Sequence, residues 1–169
     1  MPIASSDIKF YLSGGASNTD PNAALGGAIS STEITDATVA NLFDNVSSAE
    51  SSAGDTEYRC LYVKNTHATL TLQSAKAYIQ TNTPSADTSA EIGLGSSAVN
   101  GTEQIVANES TAPGSVTFST AAGSGNALSI GNIPAGQHKA IWVKRIVGAG
   151  AAAYNADSVI IRVEGDTAA

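Results

Sequence analysis

Apolar residues in this chain come in short runs, alternating with polar residues or continuous for a few positions, and separated by polar turn formers such as glycine, proline and asparagine. No stretch keeps the three- and four-residue spacing of a long amphipathic helix. A rhythm of two broken by turn residues confines the chain to β-structure. Ile8–Leu12 reads as a first strand, Tyr58–Lys64 as a second, and Thr69–Gln80 as a third. The third changes phase: Leu70 and Leu72 share one side, whereas Ala75, Ala77 and Ile79 share the other. That change predicts a bulge or a break near Gln73-Ser74. With Asn65-Thr66-His67 as a turn, the second and third strands are expected to form a hairpin. Shorter strands are expected at Glu91–Leu94, Glu103–Ala107, Ser115–Ser119 and Ala127–Ile130, with a turn at Asn100-Gly101. Pro134-Ala135-Gly136 suits a type I turn with proline second and glycine fourth. His138–Val147 is the strongest strand, and Ser158–Glu164 closes the series with Val159, Ile161 and Val163 facing inward.

Many short strands without long helices make the expected fold all-β, a β-sandwich of jelly-roll or Ig-like type. The stretch from Ser13 to Thr56 is the least regular, with turn formers at Gly14-Gly15, Asp20-Pro21-Asn22 and Gly26-Gly27. Ser47 and Glu50 have the spacing of a capping box, so a helical turn or two is expected after Ser47. We therefore divide the chain into residues 1–56, a strand plus an irregular arm or long loop packed on the main domain, and residues 57–169, the sandwich core. An arm of this kind suits contact with a neighbouring subunit.

Leu, Ile, Val and Phe make up only about one fifth of the 169 residues, with Ala, Ser, Thr and Gly in their place. A thin core of this kind gains from burying surface against partners, which points to assembly, with a homotrimer or homodimer expected. The net charge is -7 and the eight basic residues are scattered, so no stripe exists to neutralise nucleic-acid phosphates. The first residues have neither the basic nor the apolar section of a signal peptide, and no apolar run spans a membrane. Synthesis in a cytoplasm is expected.

Candidate chemistry is sparse. Gly93-Leu94-Gly95-Ser96-Ser97-Ala98 has the glycine spacing of a dinucleotide loop, but Asn100-Gly101 interrupts where a helix should begin, so it reads as an ordinary loop. Asn18, Asp20 and Asn22 alternate like calcium ligands, but Ala23 and Ile29 stand where such a loop needs glycine and glutamate. A turn on Asp20-Pro21 fits better. His67 and His138 are the only histidines and Cys60 the only cysteine, too few for a zinc site and leaving no intrachain disulfide. Cys60 lies in an apolar run and reads as a small buried hydrophobe. Tyr58, Tyr62 and Trp142 read as core. No residue is nominated as catalytic, cofactor-binding or metal-ligating, no cofactor is expected, and the chain reads as non-enzymatic.

Two stretches resemble structural proteins of tailed-bacteriophage virions. One is Glu57-Tyr58-Arg59-Cys60-Leu61-Tyr62-Val63-Lys64-Asn65-Thr66. The other is Ile133-Pro134-Ala135-Gly136-Gln137-His138-Lys139-Ala140-Ile141-Trp142-Val143-Lys144-Arg145, followed by Ala149-Gly150-Ala151. The Gly14–Gly27 segment has a similar character. The resemblance implies a place in a virion, with the major capsid protein or another virion protein as partner. A head decoration (cement) protein is the first expectation, and a tail, collar or baseplate component the second. A carbohydrate-binding adhesin module is the reading from another class.

Overall fold

The structure is a computed structural model and describes residues 1–167. Ten strands carry it: β1 (Ile8–Ser13), β2 (Gly26–Gly27), β3 (Ile29–Glu33), β4 (Asp55–Asn65), β5 (Leu72–Thr81), β6 (Thr88–Leu94), β7 (Glu103–Ile105), β8 (Leu128–Ile133), β9 (His138–Val147) and β10 (Ile160–Thr167). A single turn-and-a-half of helix, α1 (Ser48–Ala53), precedes β4. Its capping box forms as the sequence predicts: the Ser47 hydroxyl accepts from the Glu50 N–H, and the Glu50 carboxylate accepts from the Ser47 N–H at 2.6 Å.

The strands form a five-stranded sheet in the order β3-β1-β4-β9-β6, a three-stranded sheet β10-β5-β8, and a two-stranded ribbon β2-β7, with antiparallel pairing throughout. The two larger sheets face each other across one core. Leu12, Leu61, Val63, Ala90, Ile92, Ile141 and Val143 come from the larger sheet, and Leu72, Ala75, Ala77, Ile79 and Ile133 from the smaller. The all-β sandwich expected from the period-two pattern is therefore the fold. The opposite face of the large sheet is apolar too: Cys60, Tyr62, Ala140 and Trp142 pack there, under Leu25, Ile29, Val106, Val116 and Phe118. Burial on both faces explains the continuous apolar run Ala140-Ile141-Trp142-Val143 at the sheet's centre.

Several local expectations hold and others change. Ser74 takes a left-handed backbone (φ 51°), and an extra residue of β5 there interrupts pairing with both neighbours, so the predicted bulge is present. The expected hairpin between Tyr58–Lys64 and Thr69–Gln80 does not form. β4 pairs with β1 and β9, whereas β5 lies in the other sheet. The connection crosses because the Asn65 side chain ties it down, donating to Leu70 O and Ile133 O at 2.8 and 2.9 Å. Ser115–Ser119 is not a strand; only Ser119 bridges, to Ile92. Ser115 is left-handed (φ 57°), and Val116 and Phe118 turn onto the outer apolar cluster instead. The Pro134 turn is closed by Gln137 N–H on Pro134 O at 3.0 Å, so proline is first and Gly136 (φ 75°) third. A left-handed third residue is not compatible with the type I turn expected. The stretch from Ser13 to Thr56 carries β2, β3 and α1, and β1 before it is hydrogen-bonded inside the large sheet, between β3 and β4.

Candidate functional site

Among the described residues, the charged groups that the fold buries fall into two clusters. The first lies on the core-facing side of the large sheet, toward the start of β4 and the end of β9. Glu57 on β4 stands directly opposite Arg145 on β9. Both follow the alternation of the core residues Leu61, Val63, Ile141 and Val143, so they point into the sandwich. Arg59, two residues on, is fully buried, and Glu57 is 1 % exposed. The Glu57 carboxylate pairs with the Arg145 guanidinium and lies 3.9 Å from that of Arg59. Arg59 also donates to Glu109 at 2.5 Å and to Asn22 Oδ1 at 3.3 Å.

A strap of irregular chain from Ile34 to Val46 closes this end. Leu42 is buried in the core, and the Phe43 ring takes both guanidinium groups, Arg145 at 4.9 Å and Arg59 at 5.5 Å from its centroid. Arg145 donates to Asp44 O at 2.5 Å. One buried cation (Arg59), one half-buried cation (Arg145) and one buried carboxylate thus pin three loops to the sheet: residues 21–24, the strap, and the segment after β7. Burial pushes the Glu57 carboxyl above its ordinary value, against the pull of Arg145 and Arg59. Glu50 and Asp55 bring further carboxylate oxygens within 4.8 Å of it. Glu57 is already engaged by guanidinium groups and Glu50 by its helix cap, so this acidic trio serves the fold.

The second cluster is built on Glu103, which is 3 % exposed. Its carboxylate accepts from Ser97 N at 2.9 Å, Ser96 N at 3.2 Å, Ser96 Oγ at 2.9 Å and Gln104 Nε2 at 3.2 Å. Burial alone would raise this carboxyl; hydrogen bonds from Ser97, Ser96 and Gln104 outweigh it and hold it at about 2. Tyr62, beneath, accepts from Glu103 N at 2.9 Å and donates to Gly27 O at 2.6 Å, and burial pushes its hydroxyl up to about 12. Lys139 donates to Gly95 O at 2.8 Å.

This cluster explains the glycine spacing at Gly93–Ala98. A Cβ on Gly95 would stand 2.3 Å from Glu103 Oε2, and one on Gly93 2.5 Å from Val116. The backbone amides that could cradle a phosphate already hold the protein's own carboxylate. The glycines are there for close packing, and the reading as a loop stands.

The other residues weighed from the sequence are also accounted for. Asn18 Oδ1 accepts from Asp20 N, and Asp20 Oδ1 from Asn22 N, each at 2.9 Å, while Asn22 Oδ1 faces Arg59. These are the Asx turns expected of Asp20-Pro21 rather than a calcium cradle. His67 Nδ1 accepts from Thr69 N and Leu70 N at 3.1 and 3.0 Å. His138 meets the Tyr62 ring edge-on at 4.9 Å, and burial lowers its proton affinity. Cys60 is fully buried, and burial pushes its thiol up. Trp142 and Tyr62 are fully buried and Tyr58 packs on Phe118, so all three join the core. Sequence reasoning missed Glu57, Arg59, Arg145 and Glu103. The one signal for the first two was charge inside an otherwise apolar strand.

Comparison of the chain with protein-family models, with curated proteins and with solved structures finds no match.

Proposed function

We propose that this chain is a non-enzymatic structural protein of a tailed-bacteriophage particle, a decoration protein that binds the capsid shell and reinforces it. The observation that carries the reading is how the buried and half-buried charged groups are used. Glu57, Arg59, Arg145 and Glu103 are committed to the chain's own loops, which turns a thin sandwich into a stiff block with anchored loops. Two surface depressions, of about 180 and 280 Å³, fall below the range of sites that enclose a small molecule. The two stretches that resemble virion proteins fall on β4 and β9, the pair at the centre of the large sheet, so the resemblance concerns the framework.

Function then rests on surface burial. Val39 on the strap and Ile105 on the ribbon are 81 % and 76 % exposed, and they are apolar groups a capsid lattice would cover. Immunogold electron microscopy of particles, with antibody to the purified chain, tests the proposal. Label spread over heads is the expected result. Label confined to the tail would move the protein to the tail, collar or baseplate. Unlabelled particles would overturn the virion reading and bring forward the adhesin alternative, for which glycan binding is the assay.

A further inference from the structure

The sheets close their edges unequally. At the β6 edge, the Asn82 side chain pairs with Ala90 as a strand would, accepting from its N–H at 2.9 Å and donating to its carbonyl at 3.0 Å. Ser119 exchanges both backbone hydrogen bonds with Ile92 just beyond. At the β3 edge, Ala16 O and Asn18 O take the Ser31 N–H and the hydroxyls of Ser30, Ser31 and Thr32. In the small sheet, β8 is bulged: an extra residue interrupts its pairing with β5 beside Gly131 (φ 87°).

β10 differs from all of these. Its irregularities of pairing come from extra residues in β5, so β10 itself runs straight through eight residues without proline. Among the described residues, no group outside β5 hydrogen-bonds its backbone. Ile161 and Val163, which pack against the core, remain half-exposed along this edge. An unsealed, regular edge is a template for another strand.

We propose that β10 pairs antiparallel with β10 of a second copy of this chain about a two-fold axis at Val163, joining two small sheets into one of six strands. Charge selects that register. An antiparallel pair of identical strands must have its axis on a residue, because an axis between residues sets outward-pointing backbone groups against inward-pointing ones. An axis at Arg162 or at Glu164 puts that charge against itself. An axis at Gly165 sets Glu164 against the partner's Asp166. The axis at Val163 places Arg162 opposite the partner's Glu164, twice per dimer.

The surroundings prepare both groups. Glu164 stands across from Lys76 and is held ionised by Ser124, Lys76 and Tyr78, which lower it to about 2. Arg162 is exposed and held loosely, by Gln80 at 3.3 Å. The seam then reads Lys76, Glu164, partner Arg162, with alternating sign. On the inner side the two Val163 residues meet and cover the half-exposed apolar row. Charges that repel unrelated strands become the means of choosing a copy.

The inference concerns the free chain and stands apart from where the protein sits in a particle. Sedimentation velocity of the purified chain, from micromolar to millimolar, reads it directly. The wild type should show a reversible monomer–dimer equilibrium. R162E should weaken it on the order of thirty-fold, because two opposite-charge pairs become like-charge pairs. E164R should do the same, and an equimolar mixture of the two variants should dimerise again, since an acidic edge then meets a basic one. Circular dichroism checks that each variant is folded, and R162E decides alone if E164R is not. A wild type that stays monomeric throughout, or an R162E that associates as the wild type does, overturns the proposal.

Discussion

Replacing Glu103 with glutamine removes one charge from the interior and changes no volume. In the folded chain this carboxyl is held at about 2 instead of the ordinary 4.5. A depression of that size corresponds to about 3.4 kcal/mol of stability above the unfolded chain's value. The contribution is fully present at neutral pH and is lost as pH falls from about 4.5 toward 2. Glutamine offers one acceptor in place of two, and its NH₂ faces a donor from Ser96 or Ser97. E103Q should therefore lower stability at pH 7 by about 3 kcal/mol, a large part of a domain's margin. At pH 3 the wild type has itself lost about 2 kcal/mol of this contribution, so the gap between the two proteins should narrow by that amount. Urea denaturation reports it through Trp142, the single tryptophan and fully buried. Equal midpoints at pH 7, or a gap as wide at pH 3 as at pH 7, would refute the assignment of this carboxylate as the tie that holds the loop.

Three further outcomes follow from the packing. Phe43→Ala should cost about 2–3 kcal/mol and expose the strap, seen as faster proteolysis between Ile34 and Val46, because the ring fills the space between two guanidinium groups. Gly95→Ala should cost about 1–3 kcal/mol in a thermal melt, whereas Gly125→Ala, with open space around it, should leave the midpoint nearly unchanged. Cys60 should react with a disulfide reagent only as fast as the chain unfolds, and a rapid native reaction would contradict its burial.

The parts of the fold legible in the sequence are those where one rule acts alone. The β9 run and the phase change at Ser74 follow from side-chain alternation, and α1 from its cap. The strands β2 and β3 are written in Gly, Ser and Thr, where alternation carries little signal, and they exist because β1 and β7 offer them partners. The supposed hairpin fails because adjacency in sequence does not say which sheet a strand enters. Glu57 and Arg59 were readable as charges in a strand, but their roles depend on Arg145, Phe43 and Glu109, which arrive from distant loops.

The middle of the large sheet has a consequence for how the chain comes to be folded. β4 spans Asp55–Asn65, and the partner that completes it, β9, ends at Val147. β6 pairs with that same late strand, along its other edge. On a ribosome, β4 and β6 emerge long before the segment that joins them, so the central pairing must wait until most of the chain has been made. Contacts so distant in sequence place such a chain among the slow folders, with relaxation in milliseconds to seconds. Meanwhile the apolar run from Cys60 to Val63 waits unpaired on that side, flanked by Arg59 and Lys64. Those two charges then act as gatekeepers against premature association of nascent chains.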